Sequence, residues 1–278
     1  MAVHKSAELA GALWRDIKKI RSQRVRVHIH SHPLATVWVA QCLAALGCCP
    51  IYTVGEEERR DLLENSDSIV IDLGSSAQIG KEALMQVRDY AISSGKPLVL
   101  DPSGIRLSSL RMQVAQELLQ EGGQQVLRAN AAELMLLNGY IFTDNHESQF
   151  VKSSEAMGAA YDLAEKYGHT VVVSGNVDII VGPEMDQRYV YNGCSLMRNV
   201  IGMGSACSSI IAAFAAVNPN LEEAALHAMA CVGLVSERIG TRVRGLGTFQ
   251  LGFLDALSNL NRTGLEKDLK VESPPSYR

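Results

Sequence analysis

The segment Asn199-Val-Ile-Gly-Met-Gly-Ser-Ala-Cys-Ser-Ser-Ile-Ile-Ala-Ala-Phe214 holds the sequence's clearest chemical signal. Gly202 and Gly204 stand one residue apart and lead into an apolar run that reads as a helix. Glycine lets backbone approach a ligand closely. The first turn of a helix offers unpaired N–H groups and a positive dipole end. Together these make an anion site suited to a phosphate. The same turn could instead serve only to pack the helix on a sheet. It is not a Walker loop, because no Gly-Lys-Ser/Thr follows, nor a G-x-G-x-x-G after a first strand.

Two further groups could act with it. In Arg128-Ala-Asn-Ala-Ala-Glu133 the arginine is a natural phosphate clamp. Asn130 and Glu133, three apart at a helix start, could hold a hydrated magnesium ion. A glutamate there is equally a favourable helix cap. Asp101, in Leu100-Asp-Pro-Ser-Gly104, could bind magnesium directly or through water, although Asp-Pro also opens turns.

These groups need elements that bring them together. Short β-branched runs at 25–29, 50–53, 68–73, 98–101, 125–128, 170–174 and 178–181 read as strands, with helical patterns such as 79–94 and 108–121 between them. Nearly continuous apolar strands imply a largely parallel central sheet covered by helices on both faces, a three-layer α/β fold. Three helices, 205–217, 221–239 and 248–261, dominate the last third. In such sheets ligands bind beyond the carboxyl ends of the strands. Those ends are polar here: Asp72-Leu-Gly-Ser75, with Gly74; Asp101–Gly104; Arg128–Asn130; and Ser174-Gly-Asn176, with Gly175.

The bulk numbers set bounds. The 278 residues are 47% hydrophobic and 20% charged, with a net charge of −4, so no basic surplus points to nucleic acid. The six cysteines lack C-x-x-C spacing and several sit in apolar runs, as reduced thiols of a cytoplasmic protein do. The N-terminal stretch to Gln23 has helical spacing of Leu9, Leu13, Ile17 and Ile20 and lacks the apolar region of a signal peptide. The run 34–52 is mostly apolar and reads as a buried core helix, not a membrane span. Segment 139–149 is polar and reads as a surface loop. A single domain over 1–265 is expected, with a flexible tail from 266 to 278.

The order of these pieces resembles the ribokinase superfamily, whose Asn-x-x-Glu motif Asn130–Glu133 matches. Within it the chain is similar to the hydroxyethylthiazole kinase family. Leu46–Pro50, Val70–Ser75, Val99–Pro102, Arg128–Glu133, Val173–Asp178, Asn192-Gly193, Gly202–Gly204 and Gly247–Leu257 carry the likeness, from about residue 25 to about 260. The resemblance implies a ribokinase-like fold and transfer of the γ-phosphoryl of ATP to a primary alcohol, that of 4-methyl-5-(2-hydroxyethyl)thiazole in thiamine salvage. It implies that Arg128, Ser174, Gly175 and Asn130 meet the nucleotide and that Asp101 and Glu133 organise Mg2+. Gly202 and Gly204 would form the anion hole with Ser205 beside the reacting hydroxyl. Tyr52, His32, Gly74 and Gly202 would line the acceptor site. A homotrimer with sites between subunits is implied too.

The departures cluster on the acceptor side. The family reads Thr-Gly-Thr-Gly-Cys, or Asp in the last place, where this chain has Ile201–Ser205. An unassisted serine is a weak base, so a Ser205→Asp change is expected to raise turnover. Cys207 would point about 200° away on a helix and reads as core. Asp72 replaces a family Asn, Ser174 a Thr, and Asn176 a Glu. His28, His30 and His32 would share one strand face, as a metal site, an altered substrate pocket or an exposed face continuing Arg24 and Arg26. A kinase is one outcome; the other is a non-catalytic relative that binds nucleotide or a small ligand.

Overall fold

The apolar runs become strands and the periodic stretches between them become covering helices. A computed structural model describes residues 2–53, 55–75, 79–120, 125–142 and 151–273, the side chains of 2–6 and 75 excepted. Its strands are β1 (Arg26–His30), β2 (Cys49–Tyr52), β3 (Ser68–Asp72), β4 (Leu98–Asp101), β5 (Gln125–Asn130), β6 (Thr170–Ser174), β7 (Asp178–Val181), β8 (Gln187–Val190) and β9 (Val271–Glu272). They form one sheet in the order β2-β1-β3-β4-β5-β6-β7-β8-β9. Pairing is parallel through β6 and antiparallel from β7 onward.

Alternate strand residues feed two cores. Val27, Val70, Val99, Val126 and Val172 face α1 (Ala2–Gln23), α2 (Pro33–Leu46), α8 (Met203–Ala215), α9 (Leu221–Gly240) and α10 (Leu246–Ser258). Ile69, Ile71, Leu100, Leu127 and Val173 face α3 (Arg59–Glu64), α4 (Lys81–Ser94), α5 (Ser109–Leu119), α6 (Ala131–Leu137) and α7 (Met157–Tyr167). A strand buried on both faces has no polar alternation to show, which is why these runs read as continuous.

Three expectations change. The run 34–52 is not one helix: α2 ends at Gly47, whose φ of 107° is the left-handed stop of a helix, and the chain returns as edge strand β2. Residues 266–273 are not a tail, because α11 (Arg262–Asp268) and β9 are built into the fold. Buried Asn192 holds them: its Oδ1 accepts from Lys270 N at 2.7 Å and its Nδ2 donates to the Asp268 carbonyl at 2.9 Å. Residues 274–278, and 143–149 of the expected surface loop, lie outside the described residues. Finally, His28 and His30 are fully buried, not an exposed face, and His32 has left the strand to cap α2. Among the described residues no three His, Cys, Asp or Glu side chains converge as a metal cluster, and no helix is long and apolar enough to cross a membrane.

Candidate active site

Four polar side chains stand two residues beyond four buried valines: Asp72 after Val70, Asp101 after Val99, Arg128 after Val126 and Ser174 after Val172. A strand's period of two puts each on the same face as its valine. They therefore form a row at the carboxyl ends of β3 to β6, on the side covered by α8 and α9.

The N-terminus of α8 closes on this row. Gly202 caps it with φ 80°, and a Cβ there would lie 2.9 Å from the Ala35 Cβ and 3.0 Å from its Cα. A Cβ on Gly204 would lie 2.7 Å from Arg128 Nη1. Both glycines are thus needed for close approach, one to α2 and one to the guanidinium. Arg128 is oriented from below: Nη1 donates to Asp101 Oδ2 at 3.2 Å and Nη2 to Ser174 Oγ at 2.7 Å. Asp101 also accepts from Ser103 Oγ at 2.8 Å and Ser208 Oγ at 2.7 Å.

A cavity of about 760 Å³ opens here, lined by Asp101, Arg128, Asn130, Glu133, Ser174, Gly175, Gly202 and Gly204. Every residue expected to meet nucleotide or metal is among them. Asn130 and Glu133 form a reciprocal helix cap: Asn130 Oδ1 accepts from Glu133 N at 3.0 Å, and Glu133 Oε2 accepts from Asn130 N at 3.2 Å. Capping and ligand binding are compatible here, because the same pair faces the cavity. Burial, reinforced by the Asp101 charge, pushes the Glu133 carboxyl up to about 7. Burial likewise pushes Asp178 up to about 7, against the Gly175 amide and Arg128, which hold it down. Asp101 and Glu133 supply the carboxylate oxygens on this wall that could hold a hard cation such as Mg2+.

Of the acceptor-side residues Gly202 lines that cavity, whereas Ser205, Gly74, His32 and Tyr52 do not. Ser205 is buried, and its hydroxyl donates to Asp72 Oδ2 at 2.6 Å. Ser31 Oγ donates to the same oxygen at 2.7 Å, and Gly74 N donates to Asp72 Oδ1 at 2.8 Å. His32 is half-buried with Nδ1 accepting from Leu34 N at 3.2 Å, and its Cβ is 3.2 Å from where a Gly74 Cβ would stand. Ser205, Gly74 and His32 are therefore one neighbourhood. Tyr52 is at the exposed end of edge strand β2.

His28 and His30 pair in register with Ile69 and Ile71, so they face α3 and α4, away from α8. Burial, and then the charge of Arg59, pulls the His28 ring down to about 4. Its Nε2 lies 2.6 Å from Thr53 Oγ1. Cys207 is buried as expected, its thiol pushed up to about 12 by burial.

Sequence reasoning missed Ser31, Ser208 and Asp178 as partners. The Ser205/Ser208 pair had a signal: two hydroxyls three apart on an otherwise apolar helix share one face, and that face meets Asp72 and Asp101.

Comparison with known proteins agrees with this geometry. Residues 17–263 match the hydroxyethylthiazole kinase family. A hydroxyethylthiazole kinase of Syntrophus aciditrophicus is 30% identical over 262 residues, 93% of this chain and 96% of that protein. One from Vibrio parahaemolyticus is 32% identical over 233 residues, 84% of this chain and 87% of that protein. The structure of a hydroxyethylthiazole kinase protein from Pyrococcus horikoshii superposes with a TM-score of 0.85 at 27% identity, covering 95% of this chain and all of that one. A ribokinase-like superfamily protein of Enterococcus faecalis shares the fold alone, at TM-score 0.60 and 16% identity. With its ribokinase-like sheet and a match spanning most of its length, the chain belongs to the hydroxyethylthiazole kinase family.

Proposed function

We propose that this protein transfers the γ-phosphoryl group of ATP to the primary alcohol of 4-methyl-5-(2-hydroxyethyl)thiazole, as a cytoplasmic enzyme of thiamine salvage. The observation that carries the reading is Arg128, pre-oriented by Asp101 and Ser174 and lying against Gly204 at the start of α8. Phosphoryl transfer asks the protein mainly for positioning and charge neutralisation. Arg128 supplies a fixed cation, and the first amides of α8 supply aligned donors for a phosphate. Asn130 and Gly175 shape the wall beside it. Because Arg128 is held before ligand arrives, little reorganisation is needed at reaction.

Asp101 and Glu133 would hold Mg2+; bound there, the ion would neutralise phosphate charge. Tyr52, His32, Gly74 and Gly202 remain the proposed acceptor-side lining, with Ser205 at the reacting hydroxyl. A homotrimer is part of this reading. It is supported by exposed apolar residues beside the site: Leu34 and Val37 one turn apart on α2, and Ile201 next to the Gly202 that packs on Ala35.

The test is product formation. Purified protein, ATP, Mg2+ and the thiazole alcohol should yield the thiazole phosphate and ADP in equal amounts. ATP raising the melting temperature with no phosphorylated product would sink the reading in favour of a non-catalytic binder. Light scattering would check the trimer.

A further inference from the structure

We infer that Asp72 is the proton sink of this enzyme, acting on the acceptor alcohol through the hydroxyl of Ser205. The inference deepens the proposed kinase reading and rests on it.

Ser205 alone is a poor base. Its partner changes that. The Ser205 hydroxyl donates to Asp72 Oδ2 at 2.6 Å, so its proton is committed to a carboxylate and its lone pairs are left to accept from a ligand. Asp72 is in turn fixed from two other sides, by Ser31 Oγ on the same oxygen and by the Gly74 amide on Oδ1. The carboxylate is 1% exposed. Its direction is thus set by the fold and cannot be lost to water. Ser205 is also the residue after Gly204, which touches Arg128. The phosphate-side cation and the proton-side hydroxyl are therefore anchored on consecutive residues of one helical turn.

The step balances as follows. The acceptor oxygen forms its bond to the γ-phosphorus while the bond from that phosphorus to the β,γ-bridging oxygen breaks, and ADP leaves. The acceptor's hydroxyl proton passes to Ser205 Oγ as the Ser205 proton passes to Asp72 Oδ2. The enzyme is left with a protonated Asp72, which returns the proton to solvent after product departs. Asp72 touches no reacting atom and is a positioning and proton-accepting residue; Ser205 is the catalytic one.

The experiment is a double-mutant cycle on the full chain, with ATP, Mg2+ and the thiazole alcohol. Asp72→Asn keeps the shape and removes the proton acceptor, and Ser205→Ala removes the relay. Each is expected to lower kcat by about 10²-fold or more, the usual scale of acid–base catalysis, with KM for ATP within about threefold of wild type. The double variant is expected to be no slower than the slower single one, because the two residues act as a unit. A merely structural Asp72 would instead shift melting and KM and give effects that multiply. Either single variant retaining kcat within about threefold, or effects that multiply in the double, overturns the relay while leaving the kinase reading intact. If Asp72→Asn fails to fold, Ser205→Ala in its small buried site decides the matter by the same kcat criterion. A wild-type protein that makes no thiazole phosphate overturns both readings.

Discussion

The guanidinium of Arg128 lies where a side chain on Gly204 would begin: a Cβ there would be 2.7 Å from Nη1 and 3.5 Å from Cζ. Gly204 is thus required by a neighbouring protein group, whatever ligand the turn meets. In Gly204→Ala the flexible end of Arg128 must yield, giving up Asp101 or Ser174. We expect KM for ATP to rise about tenfold, the equivalent of about 1.4 kcal/mol, with a small change in melting. Steady-state kinetics against ATP would check it; an unchanged KM would mean that Arg128 need not occupy that position.

Gly202→Ala should behave differently. Its neighbours are the Cβ and Cα of Ala35, and its φ is 80°. Backbone cannot step aside as an arginine tip can. Left-handed strain costs about 1–2 kcal/mol and overpacking about 1–3. A loss of about 2–5 kcal/mol on urea denaturation is expected. This variant should lose stability, where the Gly204 variant loses nucleotide affinity.

Ser205→Asp was expected from sequence to raise turnover by supplying a base. The structure reverses the sign. A new carboxylate would face Asp72, whose oxygen now accepts from Ser205 at 2.6 Å, and like charges so placed cannot both ionise readily. Turnover should fall in this single variant and recover at least partly in Asp72→Asn/Ser205→Asp, where one carboxylate remains. Comparing the kcat values of the two proteins checks the sign.

The strand ends were legible because a buried parallel strand ends abruptly in polar residues, so Asp101, Arg128 and Ser174 stood out against Val99, Val126 and Val172. The pairing of Asp72 with Ser205 was not, since 133 residues separate them and only the packing of α8 over β3 brings them together. His32 misled for a local reason: Pro33 starts α2 one residue later, so the alternation that placed it with His28 and His30 stops at His30. Strands β8 and β9 were missed because they lie at the end of the sheet, are short, and contain Arg188 and Glu272.

Deleting residues 266–278 should cost more than loss of a flexible tail would. Asn192 would lose the Lys270 amide and the Asp268 carbonyl, keeping only its 3.0 Å bond to Glu237 among those it makes here. Asn192 also lines the cavity. Unpaired buried polar groups cost about 1–3 kcal/mol each, so the truncated protein should melt several degrees lower and bind ATP more weakly. Calorimetry with and without ATP would show both effects; an unchanged melting temperature would contradict the structural role of this segment.

A last prediction concerns acid stability. Asp16 on α1 and His227 on α9 are both buried, with His227 Nδ1 2.8 Å from Asp16 Oδ2. Asn218 Nδ2 donates to the same oxygen at 2.9 Å. Burial pushes the Asp16 carboxyl up, but the bonds from His227 and Asn218, with the charges of His227 and Lys19, outweigh it and leave the group below its usual value. A carboxyl lowered in the folded state stabilises the protein above its unfolded pKa of about 3.9, and that contribution is lost as pH falls through the folded value. His227→Ala removes the donor and leaves the carboxylate buried beside a cavity. It should therefore destabilise the protein at pH 6, and the melting difference from wild type should narrow as pH drops below about 4. A gap that stays constant from pH 6 to pH 3 would mean that His227 contributes packing alone.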